Sequence, residues 1–98
     1  MAVNDKQKRF LKGLAHPLKP VVMIGNKGLT DNVLAEIDNA LEQHELIKVR
    51  VSGLEKADRT AMVEEIALKS SANLVTLIGH IAVLYRAAKE PTIQLPKK

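Results

Sequence analysis

An apolar stripe with the period of a helix gives way, within a few residues, to an alternation with the period of a strand. Leu29, Val33, Leu34, Ile37, Ala40 and Leu41 recur at spacings of three and four, which puts them on one face of an amphipathic helix. From Leu46 to Val51 the period drops to two. Ile47, Val49 and Val51 point one way, Lys48 and Arg50 the other, so one face is buried and one is wet. A chain that changes period in this way alternates helices with strands.

The other segments follow suit. Asn4 with Gln7 three residues later has the spacing of a capping box, ahead of a helical pattern in Phe10, Leu11, Leu14 and Ala15. Phe10 is expected in the core. Pro17 and Pro20 stop this helix. Val21 to Ile24 is a short continuous apolar run, read as a buried strand. Thr30 is placed to cap the helix that should end near His44, with Asp31 in its first turn. Ala57 to Ser71 reads as a third helix. Leu74–Ile78 and Ile81–Arg86 read as strands joined by Gly79-His80, a loop suited to a type II′ hairpin. The order is α-β-α-β-α-β-β. The expected class is α/β, in α+β two-layer form, with a mixed four-stranded sheet. The 98 residues fit one domain, taken as 1–86. Residues 87–98 carry Pro91 and Pro96 without any period and are expected to be a mostly mobile arm.

Several function classes fall away. The chain has no cysteine, so thiolate metal sites and disulfides are excluded. His16, His44 and His80 lack the spacing of a zinc site. Glu64 and Glu65 are adjacent and diverge around their helix. Ser52, Ser70 and Ser71 stand in no nucleophile elbow. Neither an enzyme nor a metal or other cofactor is expected. No secretory pattern opens the sequence and no apolar run is long enough for a bilayer, so a cytoplasmic protein without membrane attachment is expected. The charge is unevenly spread. Residues 1–28 hold Lys6, Lys8, Arg9, Lys12, Lys19 and Lys27 against Asp5; residues 29–45 hold Asp31, Glu36, Asp38, Glu42 and Glu45 and no Lys or Arg. Such segregation creates a signed field that steers charged partners.

Between the first strand and the second helix lies Gly25-Asn26-Lys27-Gly28. It matches neither a P-loop nor a dinucleotide fingerprint. A G-x-x-G string alone is usually a turn, but here it opens a helix. Glycine lets a sugar–phosphate backbone approach, and either glycine is a candidate for a positive φ. Asn26 supplies amide donors and Lys27 a cation. KH domains clamp nucleic acid with glycines so spaced. With only Phe10 and Tyr85 as aromatics, the sheet cannot stack successive bases on aromatic rings. RNA would be held through phosphates, 2′-hydroxyls and shape.

Leu18-Lys19-Pro20, Val22 to Thr30, His44 to Val49 and Val83 to Arg86 together resemble the CRM-domain family (chloroplast RNA splicing and ribosome maturation), most of all its bacterial single-domain YhbY-type members. The resemblance runs from about Asn4 to Arg86. It implies an RNA-binding domain with a fold similar to the C-terminal domain of translation initiation factor three. It also implies association with precursors of the large (50S) ribosomal subunit, hence ribosomal RNA as partner and a part in ribosome assembly. The family's loop falls on Gly25, Asn26, Lys27 and Gly28. Lys8, Arg9, Lys12, Lys19, Lys48 and Arg50 would extend the footprint. The helix from Thr30 to Glu45 would turn its acids away from RNA, free to meet a basic ribosomal protein. The competing expectation is a protein–protein adaptor that docks through this acidic helix. A monomer is expected in either case.

Overall fold

The computed structural model describes residues 3–25 and 27–97. Helix α1 spans Asp5–Ala15, strand β1 Pro20–Ile24, α2 Asp31–His44, β2 Leu46–Val51, α3 Lys56–Lys69, β3 Asn73–Ile78 and β4 Ile81–Tyr85. The expected capping box opens α1: the Asn4 side chain accepts from the Gln7 N–H at 2.9 Å, and the Gln7 side chain accepts from the Asn4 N–H at 3.0 Å. In the hairpin turn Gly79 has φ 58°, the positive φ required at the first position of a type II′ turn.

The strands pair in the order β1-β2-β4-β3, with β1 and β2 parallel and both other pairings antiparallel. The last strand thus slots between β2 and β3, and the second β-α-β unit is split. One sheet face carries the larger core: Ile37 and Leu41 of α2, and Val63, Ile66 and Ala67 of α3, pack on Val22, Ile24, Ile47, Val49, Val51, Ala82 and Leu84. On the opposite face, Leu11 and Ala15 of α1 pack on Leu46, Val75, Val83 and Tyr85. The α+β class is as expected, but the layers number three, because β4 alternates Ala82 and Leu84 against Val83 and Tyr85 and so needs cover on both sides. Phe10 is not core; it is 39% exposed on α1.

The tail is also seated. Ile93 and Leu95 pack against the α1 cluster, and the Gln7 amide donates to the Pro96 carbonyl at 3.0 Å. What reads from the sequence as an arm is therefore laid along the domain. Its anchor is Glu45, 1% exposed and just past α2. The carboxylate accepts from the backbone N–H groups of Ala88, Thr92 and Ile93, each at 2.8 Å, and from the Thr92 hydroxyl at 2.6 Å. Burial pushes the Glu45 pKa up, but the Thr92 hydroxyl and the three N–H groups outweigh it and hold the value at about 2. Tyr85 titrates higher than usual, through burial first and the Glu45 charge second.

Helix α3 ends earlier than expected. Ser71 takes φ 54°, the Ala72 N–H bonds the Ala67 carbonyl at 2.8 Å, and the Ser71 N–H bonds that of Leu68 at 3.3 Å. This is a Schellman ending, with serine where glycine is usual. Ser71→Gly should relieve the left-handed strain and raise stability by about 0.5–1 kcal/mol, read as a higher urea midpoint at unchanged m-value.

Candidate nucleic-acid interface

Beyond the end of β1, Gly25 and Gly28 close on each other. The Gly28 N–H donates to the Gly25 carbonyl at 3.0 Å, and the Ser52 N–H, just after β2, holds the Ile24 carbonyl at 3.0 Å. Gly28 takes φ 69°. A Cβ there would lie 3.7 Å from the Met62 Cε, so the demand for glycine is conformational rather than steric. Gly25 differs: its φ is not in the left-handed region, and a Cβ would meet nothing within 4 Å. Nothing in the fold requires glycine at 25. Lys27 is exposed. Asn26 lies outside the described residues.

Helix α2 starts beside the turn, yet its N-terminus is partly spoken for. The Thr30 hydroxyl accepts from the Val33 N–H at 3.2 Å, and Asp31 stands in the first turn. The cap uses one of the free N–H groups and the carboxylate already complements the dipole. An anion here would depend on the turn and Lys27 more than on the helix end.

The remaining basic residues gather on the α1 side of the sheet. Lys12 and Lys48 line one hollow with Gly13, His16, Thr76 and Ile78. Lys19 borders a second, apolar hollow with Leu14, Leu18, Val21 and Ile93. Lys8 shares the helix face of Lys12, whereas Arg9 is exposed and lines neither hollow. Arg50 is exposed on the same sheet face as Lys48. Lys48 has a second duty: its ammonium donates to the carbonyls of His16 at 3.3 Å and Leu18 at 3.1 Å. It steadies the turn from α1 into β1, on which Lys19 rides, and lies where a cation complements a helix C-terminus.

The acidic helix is less free than its sequence implies. Glu45 is buried under the tail. Arg86 pairs with Asp38 at 2.7 Å and approaches Glu42 at 3.7 Å, while also donating to the Ser70 carbonyl at 2.8 Å. Only Asp31 and Glu36 of the five acids lack such engagement among the described residues. The role of Arg86 as a clamp across α2 and α3 was not legible, since its partners lie 16 and 48 residues away.

Sequence reasoning also missed the exposed apolar residues beside the turn. Val21 to Ile24 reads as wholly buried, but β1 is an edge strand and only Val22 and Ile24 are covered; Met23 is 73% exposed. A β-branched run carries no signal that separates an edge from a centre. Among the described residues, no group of three or more His, Cys, Asp or Glu is placed to hold a metal ion, and no helix is long and apolar enough to cross a membrane.

Known proteins share this architecture. The family model of the CRS1/YhbY (CRM) domain matches residues 3–86. A Haemophilus influenzae protein named "RNA-binding protein" is 54% identical over 98% of this chain and 97% of its own. Bacillus subtilis "Probable RNA-binding protein YqeI" is 42% identical over 96% of this chain and 99% of its own. The solution structure of a Staphylococcus aureus protein, presented as a candidate RNA binder, superposes with a TM-score of 0.85 at 39% identity, covering 96% of this chain and 99% of that one. Sequence and fold agree, and the chain belongs to the CRS1/YhbY (CRM) domain family.

Proposed function

We propose that this protein binds RNA in the cytoplasm as a monomer, gripping the sugar–phosphate backbone with the Gly25–Gly28 turn. The observation that carries the reading is Gly25, an exposed glycine for which the fold has no need. A missing side chain at that point leaves room for a backbone to come close. Lys27 neutralises charge there, and Lys8, Arg9, Lys12, Lys19 and Arg50 extend the field. Lys48 contributes its charge while holding the α1–β1 connection. The names of the relatives support RNA as the ligand class. The family resemblance supports a narrower reading: the RNA is ribosomal RNA in precursors of the large subunit, and the protein assists their assembly without catalysing a reaction. The adaptor alternative loses ground, because Glu45, Asp38 and Glu42 are engaged internally.

The test is a salt titration of binding to a labelled ribosomal RNA fragment. Log affinity should fall linearly with log salt, by about 0.7–0.9 per phosphate neutralised. Lys27→Ala should weaken binding and lower that slope by roughly one or less, while stability changes by no more than about 0.5 kcal/mol. A flat titration, or a Lys27→Ala protein that loses stability but keeps its affinity, would overturn the reading.

A further inference from the structure

Strand pairing builds one row across the sheet beside the turn: Met23 faces Arg50, Arg50 faces Ile81, and Ile81 faces Ile78. Alternation puts Met23 and Arg50 on the α1 side, opposite Val22, Ile24, Val49 and Val51 of the larger core. Helix α1 does not cover this row. Met23 is 73% and Ile78 64% exposed, Arg50 is exposed, and Ile81 is half-buried. The next row toward α1 holds Lys48, Val83 and Thr76, and there a hollow of about 350 Å³ opens, rimmed by Lys12 and His16.

Charge identifies the occupant. The four strands contain no Asp or Glu; their only charged residues are Lys48 and Arg50. Arg50 makes no ion pair among the described residues. An apolar strip with a free guanidinium at its middle and ammonium groups at its rim suits a flat, apolar-faced ring tethered to an anionic backbone. We infer that the row Met23–Arg50–Ile81–Ile78 receives unpaired nucleobases of the RNA whose backbone lies on the Gly25–Gly28 turn. The inference rests on the proposed RNA binding and adds a second surface to it. Met23 is two residues from Gly25, so one strand reaches both. The row has no aromatic ring, and Arg50 takes that part, since bases stack on guanidinium planes. Met23, Ile78 and Ile81 supply the apolar contact. A duplex keeps its base faces stacked inside and cannot use the row.

The measurement is fluorescence anisotropy of the full chain with a labelled, unstructured single-stranded RNA, and with the same strand annealed to its complement. The parent protein should prefer the single strand. Arg50→Lys keeps the charge and loses the plane; it should weaken single-strand binding roughly fivefold to tenfold with little change in duplex binding or salt slope. Ile78→Ser should act in the same direction, and its exposure makes it a safe change for folding, checked by its melting curve. Lys27→Ala should instead weaken both RNAs alike. The inference is overturned if Arg50→Lys and Ile78→Ser bind both RNAs as the parent does, or if duplex and single strand bind equally. In either case a Lys27→Ala loss leaves the turn reading standing. It is also overturned if sedimentation shows a dimer that Ile78→Ser dissolves, which would make the row a contact between copies. A parent protein that binds neither RNA overturns both readings.

Discussion

Replacing Glu45 with alanine should lower stability by about 2–4 kcal/mol and release the tail. Four donors converge on its carboxylate, and hydrogen bonds to a charged group contribute about 1.5–3 kcal/mol each before losses elsewhere. The full sum is not realised, because the freed N–H groups of residues 88, 92 and 93 turn to water as the tail lifts. Alanine also keeps the backbone strain: Glu45 sits at φ 65° and ψ −39°, a region that costs a non-glycine residue about 1–3 kcal/mol. The fold tolerates that cost because the same residue ties α2, β4 and the tail, its N–H bonding the Leu41 carbonyl and its carbonyl accepting from the Arg86 N–H. For a domain of this size the loss corresponds to a melting temperature lower by roughly 10–25 °C.

Acid should reproduce part of this in the parent protein. The folded-state pKa is held at about 2, below the ordinary carboxylate value of 4.5. A depressed carboxylate contributes stability that is fully present above its unfolded pKa and is lost as pH falls toward the folded one. The window is therefore about pH 4.5 down to 2. Thermal melts across that window, with amide exchange at Thr92 and Ile93, check both statements. Unchanged melting of Glu45→Ala at neutral pH would show that the tail contributes nothing.

The contrast between Glu45 and its neighbours shows what a sequence can carry. Period and punctuation are local, so the seven elements and both side-chain caps, at Asn4 and Thr30, could be read directly. The sequence pattern carries α3 on to Ser71, past its end at Lys69, because serine has no propensity against continuing a helix that rivals glycine; the left-handed φ of Ser71 leaves no local signal. Glu45 reads from the sequence as one more acid on a solvated helix, because nothing adjacent to it reveals donors more than 40 residues away. The tail lacked a period for the same reason. Its order comes from the buried Glu45 carboxylate, hydrogen bonds from Gln7 to the Pro96 carbonyl and from the Lys89 N–H to Glu42, and two apolar contacts, not from a repeating face. At the candidate site the turn was legible as a string, but the different needs of its two glycines were not. Burial on Arg50's strand was legible as alternation, but the open row it belongs to depends on strand order, which places β4 beside β2.

Gly28→Asp is expected to abolish RNA binding in a protein that still folds. Aspartate is among the few side chains that enter the left-handed region with little penalty, and its Cβ would sit at ordinary contact distance, 3.7 Å, from the Met62 Cε. Destabilisation should stay near about 1 kcal/mol. The new carboxylate would put a negative charge beside the turn that is proposed to hold a phosphate, and like charges brought together cost several kcal/mol, at least about a hundredfold in affinity. Gly28→Asn separates the charge from the backbone effect: it has nearly the same shape and the same tolerance of φ 69° but is neutral, and it should retain most of the binding.

The most direct test is the affinity of a labelled large-subunit ribosomal RNA fragment for the parent, Gly28→Asn and Gly28→Asp proteins, each first shown to be folded by its melting curve. The account predicts near-parental binding for Gly28→Asn and none measurable for folded Gly28→Asp; equal binding by all three would mean that Gly25–Gly28 is only a turn.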